Sequence, residues 1–135
     1  MAIGFKDTIE LVCGPQENLH VMSFYNGNGT FNLKAEIKRI FENVDEKEQL
    51  IICTDIQFGS VNQQFLKEAL KHKGKNIHLV SGINLPLLLE MVTTPGLISK
   101  EMLSNMIEKA SNEIIKVNLD SSVDCSDGND LFDSI

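Results

Sequence analysis

Residues Gln49–Thr54, QLIICT, form a short, nearly continuous apolar run with no alternation between polar and apolar positions. A strand of that kind has no face to offer to water, so it belongs in a sheet covered on both sides, as parallel sheets are. The period changes on either side of it. Before the run, Leu33, Ile37, Ile40, Phe41 and Val44 recur at three-and-four spacing and give an amphipathic helix. After it, Val61, Phe65, Ala69 and Leu70 define another, with Ser60 as its expected cap and its end near Lys73-Gly74. Residues 76–80 then return to a strand.

The alternation extends outward in both directions. Ala2, Phe5, Ile9 and Val12 place a helix at the start, stopped by Gly14-Pro15. Residues 19–25 read as a strand, and Asn26-Gly27-Asn28-Gly29 as the turn after it. Asn84-Leu85-Pro86 has the form of a helix start, with Asn84 as cap and proline in the first turn. That helix carries Leu87, Leu88, Leu89 and Met91 and breaks at Pro95-Gly96. Ile98, Met102, Met106, Ile107 and Ala110 give a last long helix, and residues 114–119 alternate as a closing strand. The expected fold is α/β, a doubly wound and mainly parallel sheet with helices on both faces, spanning residues 1–120. Residues 121–135 are acidic, serine-rich and poor in apolar side chains, and are expected to form a flexible tail. A doubly wound domain normally opens on its central strand. This chain opens on a helix, so the first strand is expected to be missing.

Composition narrows the function. A chain of 135 residues holds one core. A net charge of −7 argues against a nucleic-acid partner. The short basic run Lys71, Lys73, Lys75 reads as the cationic end of a helix. Cys13, Cys53 and Cys125 show neither metal spacing nor a CxxC pair, and Cys53 sits in the apolar run as a small buried hydrophobe. A reducing, cytoplasmic setting is expected. No apolar stretch approaches the roughly 18 residues of a membrane span, so no membrane insertion is expected.

In parallel sheets, ligands bind at the carboxyl ends of the strands, which here means the loops beginning at Tyr25, Asp55 and Ser81. Residues 54–63, TDIQFGSVNQ, are the most informative. A carboxylate ends a buried strand, a short loop turns, and a serine opens the next helix. Helix amides with a serine hydroxyl make an anion site, and a carboxylate can orient an imidazole. A plainer role also fits the spacing: Asp55 satisfying loop amides and Ser60 capping a helix. His20 and His78 fall inside expected strands and His72 at a helix end, which are structural or solvated positions.

Asp55, Gly59, Ser60, Val61 and Asn62 resemble the aspartate–loop–serine signature of the IIA components of phosphoenolpyruvate-dependent sugar phosphotransferase systems, in the mannose/fructose/sorbose family. Residues 81–90, SGINLPLLLE, are similar to that family's Gly-Val/Ile-Asn-Ile/Leu-Pro segment. The opening MAIGFKDT resembles the helix that follows the family's active histidine, and the turn GPQEN at 14–18 also fits. The likeness covers about residues 1–119.

The resemblance implies a cytoplasmic phosphoryl carrier, which accepts a phosphoryl group on a histidine from the histidine phosphocarrier protein and passes it to a IIB component. Asp55 would orient the imidazole, while Ser60 and the amides of Gly59-Ser60 would contact the phosphoryl oxygens, with Asn84 and Pro86 on the neighbouring loop. No metal or organic cofactor is implied. The accepting histidine is expected just upstream of Met1, and none of the three histidines here takes its place. Gln57 stands where the family commonly has an apolar or aromatic residue, and Phe58 where it usually has glycine. A homodimer is implied, with the last strand antiparallel and exchanged between subunits. A second reading keeps the fold and the dimer as a phosphorylation-incompetent regulatory or binding module. Asp55 also ends a strand as the phosphoaccepting aspartate of a receiver does, but Leu119-Asp120-Ser121 lacks the lysine a receiver needs.

Overall fold

The two buried apolar runs pair with each other. In the computed structural model, which describes residues 1–23, 32–57 and 59–120, β1 (Gln49–Thr54) and β2 (Asn76–Ser81) lie parallel. Gln49 stands opposite Asn76 and Thr54 opposite Ser81. The helices are α1 (Ala2–Cys13), α2 (Leu33–Glu42), α3 (Ser60–Ala69), α4 (Leu85–Thr93) and α5 (Lys100–Ser111).

Successive side chains of a strand point to opposite faces. Leu50 and Ile52, with Ile77 and Leu79 of β2, pack against Ile37 and Phe41 of α2 and Phe65 of α3. Ile51, Cys53 and Val80 pack on the other face with Leu87 of α4 and Leu103, Met106 and Ala110 of α5. The run without alternation is therefore covered on both sides, as its composition requires. Burial pushes the Cys53 thiol up to about 11, in keeping with a core side chain. Helix α1 packs on α4 and contributes the fully buried Ile9.

Side-chain caps open α2 and α5. The Asn32 side chain accepts from the Ala35 amide at 3.2 Å, and Ser99 Oγ from the Met102 amide at 3.1 Å. Ile98 and Leu103, on either side of the Ser99 cap, lie in one apolar cluster and staple the entry to α5. Gln49 clips this connection to the sheet: its side chain donates to Ile98 O at 2.6 Å and accepts from Ile98 N–H at 2.9 Å.

Two of the four expected strands form among the described residues. Residues 19–23 join no ladder, although Met22 packs on the cluster beneath α2 and α3. Tyr25 and the expected turn after it lie outside the described residues. Residues 114–119 also join no ladder among the described residues, and Ile114, Ile115, Val117 and Leu119 are 67–90% exposed. The physical reason is common to both: side-chain pattern marks a strand, but a strand exists only beside a second backbone. The expected tail and Cys125 lie outside the described residues. Helix α3 ends at Ala69, earlier than Lys73-Gly74, and a turn carries the basic run. Lys75 then serves a different helix from the one expected, its ammonium donating to Phe41 O at 2.7 Å at the end of α2.

Phe41 joins three elements. It is fully buried, with the Phe65 ring centroid at 6.3 Å and the His72 ring at 5.6 Å. Phe41→Ala is expected to cost about 3–5 kcal/mol, read from urea unfolding followed by circular dichroism. A loss under 1 kcal/mol would show that this layer is not packed as described.

His72 Nε2 also meets Glu68 Oε1 at 3.1 Å, and Lys71 meets its other oxygen at 3.3 Å. Burial works to raise the Glu68 carboxyl, but the bonds from His72 and Lys71 outweigh it and hold the group below its ordinary 4.5. A carboxyl depressed on folding stabilises the protein above its unfolded value, and that contribution disappears as the pH falls through the folded one. Glu68→Gln should therefore lower the urea midpoint at neutral pH, with the gap from the parent chain closing below pH 4.5. A gap that does not change with pH would rule this out.

Candidate functional site

Both strands end in a hydroxyl, and the two hydroxyls face one side chain of α3. Thr54 Oγ1 lies 3.0 Å and Ser81 Oγ 2.7 Å from Asn62 Oδ1, and the two hydroxyl oxygens are 2.9 Å apart. Asn62 Nδ2 donates to the Gln57 carbonyl. Thr54 and Asn62 are buried, at 7% and 5% exposure, and each polar atom there has a partner. The amide cannot be turned over. Flipping it would aim Oδ1 at a carbonyl that has no proton to give.

The turn between β1 and α3 carries the residues expected to do chemistry. Asp55 follows the last residue of β1 and is exposed, with no hydrogen-bond partner for its carboxylate among the described residues. Gly59 N–H reaches Ile56 O at 3.4 Å and closes the turn. Ser60 was expected as the cap of the helix; Gly59 holds that position and Ser60 is the first helical residue. The reason is the backbone, which is already extended at Gly59 and helical from Ser60 onward. Glycine offers no side-chain acceptor, so the leading amides of α3 keep the free donor capacity of a helix start. Ser60 itself is exposed. Phe58 lies outside the described residues.

The neighbouring loop leaves β2 through Gly82, whose φ of +74° favours glycine. Its N–H meets Thr54 O at 3.0 Å and that of Ile83 at 3.4 Å, so the two loops are joined through Thr54. Asn84 caps α4 by accepting from the Leu87 amide at 3.1 Å. Its Nδ2 donates to Ala110 O at 2.8 Å, which fastens α4 to the end of α5. Both of its polar atoms are thus used in holding helices. Pro86, in the first turn of α4, lines a groove of about 420 Å³ with Val12 and Cys13 of α1 and Lys109 of α5. That groove lies between helices and includes none of the residues of the Asp55 turn.

Of the histidines, His72 packs against Phe41 with its ring tilted by 33°, and His78 Nε2 meets Asn76 Oδ1 at 2.9 Å. His20 lies exposed in the segment without strand pairing. None bonds to Asp55 or Ser60 among the described residues. Those residues hold no group of His, Cys, Asp and Glu that could bind a metal, and no helix among them is long and apolar enough to cross a membrane.

Sequence reasoning placed Asp55, Gly59 and Ser60 on one turn, as found. It gave Asn62 no role beyond its place in a motif and did not single out Thr54. The available signal was polarity: a threonine and a serine closing two apolar runs, with an asparagine on the first turn of the helix between them.

The comparisons with known proteins agree with this architecture. A family model described as PTS system fructose IIA component matches residues 1–110. Among curated proteins, the chain is similar to the PTS system fructose-specific EIIA component of Bacillus subtilis, 24% identical over 77% of this chain and 70% of that one. Among solved structures it is similar to the mannose/sorbose specific IIA subunit from Enterococcus faecalis, with a TM-score of 0.73 at 14% identity over 88% of each chain. It is also similar to the phosphotransferase system component EIIA from Streptococcus agalactiae, with a TM-score of 0.69 at 24% identity over 86% of this chain and 88% of that one. A mixed α/β fold with both core strands parallel and a family match over most of the length lead to one assignment: the chain belongs to the PTS system fructose IIA component family.

Proposed function

We propose that the protein serves as a cytoplasmic phosphoryl carrier in sugar uptake, taking phosphate from the histidine phosphocarrier protein and passing it to a IIB component. The observation that supports it best is the turn at the end of β1. An exposed carboxylate, Asp55, stands at one end and an uncapped helix start, Gly59-Ser60, at the other. A helix start attracts a phosphoryl dianion, and a carboxylate fixes the tautomer of an imidazole and offsets its positive charge. In this reading Asp55 orients the accepting histidine, while Ser60 Oγ and the Ser60 amide hold the phosphoryl oxygens, and Gly59, whose N–H closes the turn on Ile56 O, shapes the approach. The reaction exchanges one P–N bond for another, so positioning and electrostatics suffice.

The accepting imidazole comes, in this proposal, from a strand upstream of Met1 that lies along the outer edge of β1. That edge carries no strand among the described residues, and β1 pairs only with β2. A chain extended upstream by about ten family residues ending in histidine should gain an acid-labile phosphohistidine from the phosphorylated carrier protein. Asp55→Asn and Ser60→Ala should each slow that transfer about 10–100-fold. No label on the extended chain would defeat the proposal.

The second reading, a phosphorylation-incompetent dimeric regulatory or binding module of the same fold, is favoured by the positions of His72 and His78, both engaged away from Asp55. Both readings include a homodimer in which residues 114–119 pair antiparallel with the partner's sheet. Its support is the exposure of four apolar side chains in six residues. Sedimentation at micromolar concentration should give a dimer, and deletion of residues 114–135 a monomer. A monomeric parent chain would end the exchange model.

A further inference from the structure

We propose that Asn62 is the positioning residue of the Asp55–Ser60 turn. Its significance rests on the phosphoryl-carrier reading, but its geometry does not. Asn62 is on the first turn of α3, with a side chain that is 5% exposed and makes three hydrogen bonds. Two are accepted by Oδ1, from Thr54 at the end of β1 and Ser81 at the end of β2. The third is donated by Nδ2 to the carbonyl of Gln57, midway round the turn.

These bonds divide the work between the two ends of the amide. Thr54 and Ser81 have two hydroxyl protons between them, and an amide oxygen has two lone pairs to accept both. With Oδ1 so committed, Nδ2 has one direction left, and it meets the Gln57 carbonyl. The turn is thereby tied at its centre to the ends of two strands. Without that tie, Gly59 N–H on Ile56 O at 3.4 Å is the remaining hydrogen bond within the turn among the described residues. Asp55 and Ser60 sit at the two ends of this turn, and a group that must meet both needs them fixed relative to each other. Asn62 touches neither, so it acts through the turn backbone and is not itself a catalytic residue. No other side chain joins all three segments among the hydrogen bonds of the described residues.

Aspartate is the informative replacement. Asn62→Asp keeps an oxygen for the two hydroxyls and puts a second oxygen, without a proton, against the Gln57 carbonyl. It should release the turn and spare the strand ends. Thr54→Val removes one donor to Oδ1 and leaves Nδ2 free to hold Gln57. Amide hydrogen exchange and 15N shifts are read on the 135-residue chain. Asn62→Asp should speed exchange at Gly59, whose N–H closes the turn on Ile56 O, about three- to tenfold, the equivalent of one net hydrogen bond. The 15N shifts of Gly59 and Ser60 should move with it, while the amides of Ile52 and Val80, which face the β1–β2 ladder, stay protected. Thr54→Val should leave the turn unchanged. A general structural role would instead loosen turn and strands together in both variants, and that result overturns the proposal. An Asn62→Asp turn that exchanges like the parent chain overturns it too. If Asn62→Asp does not fold, the parent chain decides: one Asn62 side-chain amide proton must be protected and close to Gln57, and free exchange of both defeats the idea. No phosphoryl donor enters these measurements, so their failure is separate from failure of the phosphorylation test.

Discussion

The pairing of Gln49–Thr54 with Asn76–Ser81 is the constraint on which the other layers depend. Each strand supplies apolar side chains to both faces; α2 and α3 pack on one face, α4 and α5 on the other, and α1 packs on α4. Register normally follows from the contrast between a wet and a dry face, because a slip of one residue exchanges them. That contrast is absent here, since a slip would swap apolar for apolar. The polar ends supply the missing information. Gln49 donates to Asn76 Oδ1 at 3.4 Å at one end, and the Thr54 and Ser81 hydroxyls lie 2.9 Å apart at the other. A slip by one residue would separate both pairs and strand Thr54 in an apolar layer.

The elements that were legible in the sequence are those decided locally. The run QLIICT has the bounds expected of it, and the caps at Asn84 and the break at Pro95-Gly96 fall as the residues dictate. A helix satisfies its own backbone, so periodicity and caps are nearly enough to place one. Strands depend on distant backbone. Residues 19–23 and 114–119 carry the side-chain pattern of strands and join no ladder among the described residues, which their own side chains could not reveal. Lys75 shows the same limit for charge. Its position after α3 suggested the nearest helix end, whereas folding delivers it to the end of α2.

The chemical half of the candidate site was legible because its parts are contiguous. Asp55, Gly59 and Ser60 lie within six residues, and their residue types state what they can bind. The supporting half was hidden because its parts are scattered. Asn62 meets partners 5, 8 and 19 residues away, and Asn84 reaches Ala110 across 26. An asparagine on a first helical turn has many bland uses, and only the convergence of two strand ends on its oxygen gives this one a direction. Asn84 is the reverse case. It looked like part of the site loop, and both its polar atoms are occupied in joining α4 to α5.

Thr54 ties the two loops to each other. Its carbonyl receives the amides of Gly82 and Ile83, and its hydroxyl enters the Asn62 network, so one residue of β1 anchors the exit from β2 and the entry to α3. The amide of Gly82 approaches that carbonyl from a backbone with φ +74°, a conformation a β-branched side chain would resist. A strand arriving along the open edge of β1 would therefore meet a frame already set by pairing on the opposite edge. Among the described residues that frame is made by β1, β2 and α3, so the acceptor and the cradle can be tested separately.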